Sequence, residues 1–248
     1  MTTRLRPRGL FRQNEIGVRR ERLQAAAGEV SAFVRQTFLL YYDTLAPAVP
    51  RRAGSGDDVV LFLHGIMATA GVLRPLRGAL ERHPRVHTGA LTYLTGRGVQ
   101  AIAAQLAELA AAVPARAHLH LVGHSLGGVV ARWYALHSGD RRVVQTISLA
   151  SPFAGVPGVA RIGLPFARDL DRESPLLQRI TAHPDAASIP HLSIIAAEDR
   201  FVADPEEHAL PGGEVLVLEA RGHNALLYDD EVTRAVEERI LHHRAARG

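Results

Sequence analysis

Cysteine and lysine are both missing from the 248-residue chain, and each absence removes whole classes of chemistry. Without cysteine there can be no disulfide, no thiolate nucleophile and no cysteine-ligated zinc, although the compartment is left open. Without lysine there is neither a Schiff-base amine nor a phosphate-loop lysine. All 29 basic residues are arginine, which coding bias explains more simply than function does. No apolar run reaches the roughly 18 residues that a membrane span needs, and residues 1–22 lack the apolar centre of a secretory signal, so a cytoplasmic location is expected. Residues 123–128 do not fit G-x-G-x-x-G, and Gly96-Arg97-Gly98 lacks the third glycine, so dinucleotide binding is not supported. His118 and His120 share a strand face and His242 and His243 are adjacent, but neither pair has further ligands to complete a metal site. There is no internal repeat and no low-complexity stretch.

What is present suits a globular enzyme-sized unit. With 47% apolar residues the chain can bury a full core. The net charge of +4 is unevenly placed: residues 1–56 hold ten arginines against four acidic residues, and residues 57–248 hold nineteen against twenty-one. A basic leader can attract an anionic membrane surface or nucleic acid, but no nucleic-acid-binding module is recognisable, and a nucleic-acid partner is not expected. From Glu21 the residues Leu23, Ala27, Val30, Val34, Phe38, Tyr41 and Leu45 recur at steps of three and four, which describes one face of a helix ended by Pro47. That face is expected to lie against the chain's own sheet or a neighbouring subunit, with a peripheral membrane contact as the alternative. Oligomeric state is not legible.

From residue 57 onward strand-like and helix-like patterns alternate. Strands are expected at 57–63, 86–93, 119–122, 143–150, 191–197 and 214–219, with helices at 72–82, 99–112, after Ser125 and at 230–244. Strands separated by crossover helices imply a parallel sheet wrapped on both sides, whose ligands gather beyond the strands' carboxyl ends. Residues 1–56 are therefore read as a leader, helix and connector, and 57–248 as a catalytic unit of the α/β class. Within it, residues 153–190 lack a clear strand, and the apolar Val156, Val159, Ile162, Leu164 and Phe166 suit a small lid.

The change from strand to helix periodicity falls on Gly123-His124-Ser125-Leu126-Gly127, a G-x-S-x-G turn. Small residues two before and two after the serine let strand and helix approach closely, and the turn pushes the serine side chain into the open. A serine hydroxyl is a weak nucleophile, so a base must take its proton and an acid must hold that base. Both belong at the ends of later strands. Asp199 follows the strand at 191–197, with Glu198 and Asp204 as competitors, and His223 follows the strand at 214–219, with Gly222 to turn the chain. The order Ser125, Asp199, His223 is the one expected for such a fold. For the oxyanion, the backbone N–H groups of Leu126 and Ile66 are the expected donors, with His64 stabilising the loop.

The chain resembles the α/β-hydrolase superfamily, and within it the bacterial lipases and esterases. The matching segments are Leu63-His64-Gly65-Ile66, Val122-Gly123-His124-Ser125-Leu126-Gly127-Gly128, Ser148-Leu149-Ala150-Ser151-Pro152-Phe153-Ala154-Gly155, Glu198-Asp199-Arg200-Phe201-Val202 and Gly222-His223-Asn224-Ala225-Leu226-Leu227. The resemblance implies hydrolysis of a carboxylic ester through an acyl-serine intermediate, without metal or organic cofactor, on a small-molecule ester or lipid. Acyl-thioester hydrolysis, acyl transfer and ligand binding without catalysis are the alternatives. Phe153 stands where such lipases usually carry histidine, implying a more apolar wall, and Met67, Phe153, Leu164, Phe201 and Leu226 are the expected substrate-binding residues. The larger family begins with two strands that residues 1–56 do not supply, so a reduced, mostly parallel sheet of about six strands is expected, with an extra N-terminal amphipathic helix.

Overall fold

The strand β1 (Asp58–Leu63) is buried at every position, as its run of β-branched and aliphatic residues requires of a strand covered on both faces. In the computed structural model, which describes residues 15–44, 50, 53–202 and 204–245, it lies inside a six-stranded sheet. The other strands are β2 (Val86–Leu91), β3 (His118–His124), β4 (Val143–Leu149), β5 (His191–Ala196) and β6 (Glu214–Leu218). Their spatial order is β2-β1-β3-β4-β5-β6, and every neighbouring pair is parallel. The sheet expected from the sequence is thus the sheet found.

Helices cover both faces. On one, α3 (Val99–Ala111), α4 (Leu126–His137), α5 (Pro165–Asp169) and α6 (Pro175–Thr181) close over a core that includes Leu61, Leu121, Val129 and Phe153. On the other, α2 (Arg74–Leu80) and α7 (Asp230–Ala245) close over a core that includes Phe62, Val122, Ile194 and Leu226. The segment 153–190 is folded into short helices and turns and is pinned at several points. Asp169 Oδ2 accepts the Val99 N–H at 2.7 Å, capping α3, and the buried Arg132 of α4 donates to the Ile189 carbonyl at 2.9 Å. Phe166 is buried, whereas Ile162 and Leu164 face outward.

The first helix, α1 (Glu15–Leu39), departs from the expected orientation. It packs on the 3-10 turns Ala70–Leu73 and Ala225–Tyr228 through the buried Ala25 and Ala32, with Gly28 between them, where an added Cβ would lie 3.6 Å from the Ala225 Cβ. Small residues let the helix come close, so the bulky side chains turn away. Leu23, Val30, Phe33, Val34, Phe38 and Tyr41 are all at least half exposed, with Tyr41 reaching 85%. The apolar face is therefore turned away from the chain's own sheet, and Leu45 and Pro47 lie outside the described residues. Beyond α1, Asp43 holds the chain to α2 through Arg74 at 3.0 Å and Arg77 at 3.0 Å. Among the described residues no helix is long and apolar enough to cross a membrane.

Candidate active site

Non-glycine residues with positive φ collect where strands leave the sheet: Met67 after β1, Ser125 after β3, Ala150 after β4 and Ala220 after β6. Each such conformation costs on the order of 1–3 kcal/mol and persists only where its surroundings impose it. At Ser125 (φ 53°, ψ −121°) the neighbouring backbone does so. Its N–H donates to the Leu149 carbonyl at 2.8 Å and its carbonyl accepts the Gly128 N–H at 3.1 Å. A Cβ on Gly123 would sit 2.2 Å from the Gly127 carbonyl carbon, and one on Gly127 would sit 2.3 Å from the Leu63 oxygen. No side chain fits at either glycine, so strand, turn and helix meet backbone to backbone.

His223 and Asp199 come together from the β6 and β5 ends. The His223 Nδ1–H donates to Asp199 Oδ2 at 2.6 Å, and the other carboxylate oxygen accepts the Phe201 N–H at 2.8 Å. Both side chains are buried. The two competing acids lie elsewhere: Asp204 is exposed at the start of a 3-10 turn, and Glu198 faces Arg22 at 4.0 Å. The His223 ring also lies edge-on to His124, with centroids 4.8 Å apart, and His124 immediately precedes Ser125. His124 Nε2–H donates to the His223 carbonyl at 3.1 Å, tying the serine turn to the histidine loop. Burial, aided by the neighbouring His223, pushes His124 down to about 3, so its ring is neutral near pH 7.

The loop after β1 is built on His64. Tyr93 N–H donates to its Nε2 at 3.2 Å, which leaves Nδ1 as the protonated nitrogen, donating to the Gly65 carbonyl at 2.7 Å. The ring stacks on Tyr93 at 4.0 Å, and the Tyr93 hydroxyl donates to the His64 carbonyl. Burial lowers His64 to about 4. A neutral histidine with both nitrogens engaged is a brace, as expected from the sequence, and it fixes the approach of Ile66. Gly65 makes that approach possible, since a Cβ there would lie 3.1 Å from the Ser125 Cβ. Ile66 is half-buried against the core, and Leu126 is the first residue of α4.

The expected substrate-binding residues divide. Met67 (81% exposed), Leu164 and Phe201 present apolar surface, and the Phe201 ring sits 4.8 Å from the His223 ring. Phe153 and Leu226 do not. Phe153 is 2% exposed with its ring edge-on to His191 at 5.3 Å, and Leu226 is fully buried under the opposite face, so each serves as core filling. Sequence reasoning passed over three further residues that shape the site: His124, Tyr93 and Glu29, whose carboxylate accepts the Asn224 N–H next to His223. His124 could have been found as the variable position beside the serine; Tyr93 and Glu29 carry no local signal.

A family model for lipase (class 3) matches residues 65–196, just over half of the chain. Among solved structures, the mature form of a Bacillus licheniformis lipase is similar with a TM-score of 0.62 and 14% identity, over 79% of this chain and 96% of that one. A structure of the metagenome-derived lipolytic enzymes LipS and LipT gives 0.60 and 18% identity over 80% and 98%. Est1E from Butyrivibrio proteoclasticus gives 0.58 and 18% over 81% and 93%. At such identities the likeness speaks to fold alone, and the fold is that of the α/β hydrolases. No curated protein sequence matches the chain.

Proposed function

The chain belongs to the class 3 lipase family, and we propose that it hydrolyses carboxylic esters of lipid or other apolar acyl substrates through an acyl-serine intermediate. The observation that carries this reading is the 2.6 Å bond from His223 to an Asp199 whose second oxygen is already held, beside the strained Ser125. Asp199 keeps the His223 proton on Nδ1, leaving Nε2 to accept the Ser125 proton as Oγ attacks the ester carbonyl. The resulting oxyanion is stabilised by the N–H groups of Leu126 and Ile66. Its collapse breaks the ester C–O bond, and the His223 proton passes to the leaving alcohol. Water, deprotonated by His223, then attacks the acyl-serine and releases the acid.

The exposed Met67, Leu164 and Phe201 supply apolar surface for the acyl chain, and residues 153–190 form the cover on that side of the catalytic unit 57–248. The open face of α1, together with the arginines of residues 1–22, suits an anionic lipid surface.

The test is a panel of esters of increasing chain length, with acyl-thioesters alongside, using wild type, Ser125→Ala and His223→Ala, with vesicle binding followed at rising salt. Each substitution should lower kcat on the order of a million-fold, and the double variant should be no worse than either single. Undiminished turnover in Ser125→Ala would remove the mechanism. Faster turnover of thioesters than of esters would move the substrate class, and vesicle binding indifferent to salt would remove the electrostatic part of the lipid contact.

A further inference from the structure

We propose that Glu29, on α1, is a positioning residue for His223, which makes the N-terminal helix part of the catalytic apparatus although it lies outside the stretch matched by the family model. The inference rests on His223 acting as the base. The Glu29 carboxylate reaches across 195 residues of sequence to the chain that follows the histidine. Oε1 accepts the Asn224 N–H at 2.6 Å and the Ala225 N–H at 3.0 Å, and Oε2 accepts from the Asn224 side-chain amide at 3.1 Å. On the other side of His223, the same carboxylate lies over Gly222, where a Cβ would come within 2.5 Å of it. One half-buried side chain thus spans residues 222–225 and fixes the backbone on both flanks of the base.

The geometry asks for a carboxylate. Three N–H donors converge on two oxygens, each bond is charge-assisted, and the group caps the open N–H groups that begin the turn Ala225–Tyr228. An amide at position 29 keeps an oxygen for the two backbone N–H groups but loses the charge that strengthens all three bonds. The helix that carries Glu29 is itself held at a second place. Thr69, two residues past Met67, donates to the carbonyls of Leu40 at 3.3 Å and Tyr42 at 3.2 Å, and Asp43 is clamped by Arg74 and Arg77. The helix therefore runs from the base loop to the β1 loop that supplies Ile66, and it sets one against the other. Displacing a reacting group by about 1 Å can cost on the order of a hundredfold in rate, so a brace of this kind acts on kcat rather than on substrate affinity.

The experiment uses the full chain and compares Glu29→Ala and Glu29→Gln with Arg35→Ala. Arg35 lies on the same helix, with its guanidinium 5.7 Å from the Tyr228 ring, and contacts the same turn without touching the base loop. Ester turnover, the rate of Ser125 labelling by a phosphonate, and thermal unfolding are measured for each. Glu29→Ala is expected to lower kcat and the labelling rate together by about tenfold with KM within about twofold, and Glu29→Gln to fall between it and wild type. Arg35→Ala should leave kcat at the wild-type value even where it lowers the unfolding temperature. Should Glu29→Ala not fold, Glu29→Gln decides the matter by the same split between kcat and KM. Wild-type kcat and labelling in a folded Glu29 variant would overturn the proposal, as would an equal loss in Arg35→Ala. Ser125→Ala and His223→Ala in the same assay separate the two levels: their retaining activity defeats the reading of the site, whereas their losing it beside unaffected Glu29 variants defeats the brace alone.

Discussion

The turn that carries Ser125 and the loop that carries His223 sit at the same edge of the sheet but are held in opposite ways. The serine turn is held by backbone packing that its own glycines allow: Gly123, Gly127 and Gly128 leave no room for a side chain where they meet each other, β1 and the end of β4. The histidine loop is held from without, by the His124 ring, the Glu198 N–H on the Arg221 carbonyl at 3.0 Å and the Glu29 carboxylate. A local device writes itself into consecutive residues. A device assembled from separate elements does not, and each of its members looks ordinary in its own stretch of sequence.

A pair of glycine substitutions breaks the comparison most sharply. Overfilling a core ordinarily costs about 1–3 kcal/mol, and at Gly127 the obstructing atom is the Leu63 carbonyl oxygen, which cannot rotate aside. Gly127→Ala should therefore exceed that range and leave little folded protein. At Gly222 the obstruction is the flexible side chain of Glu29, so Gly222→Ala should fold and lose activity instead. Circular dichroism and ester turnover on the two variants check this, and equal stability of both would erase the distinction.

A phenylalanine pair sharpens the account of the apolar surface. Phe153→Ala removes a buried ring and should cost about 3–5 kcal/mol in denaturant unfolding with little change in KM. Phe201, 64% exposed beside His223, should behave in the converse way, with KM for long-chain esters rising and stability within about 0.5 kcal/mol. A KM effect at Phe153 equal to that at Phe201 would return Phe153 to the substrate wall.

A pH effect belongs to the serine side. His64 and His124 are held down by burial, to about 4 and about 3, from an ordinary value of 6.5. The unfolded chain thus binds protons that the folded chain refuses, so the stability is fully present above pH 6.5 and drains as pH falls toward 4. The slope is up to about 1.4 kcal/mol per pH unit for each histidine. Denaturant midpoints across that interval should fall, and His64→Gln should flatten the decline; an unchanged slope would show that His64 does not contribute.

The same division explains what could be read in advance. The six strands were legible because buried parallel strands are continuous apolar runs, and the serine turn because its glycines are adjacent in sequence. Asp199 and His223 could be named because each follows a strand end. The apolar stripe of α1 was visible, but periodicity reports only that a helix has two faces. Which face docks was decided by Ala25, Gly28 and Ala32, whose smallness brings the helix closer than Val30 or Phe38 could. Phe153 and Leu226 stood in the right segments of sequence, yet their side chains point into the two cores.

The span between Glu29 and Asn224 has a consequence for the order in which the molecule is made. Synthesis delivers α1 before the serine turn and residues 222–225 after it, so Ser125 emerges well before the loop of His223 has been braced. A partly translated chain can therefore carry the serine turn with no His223 loop beside it. The contact closes in one late step, when β6 is laid down and the loop after it meets α1.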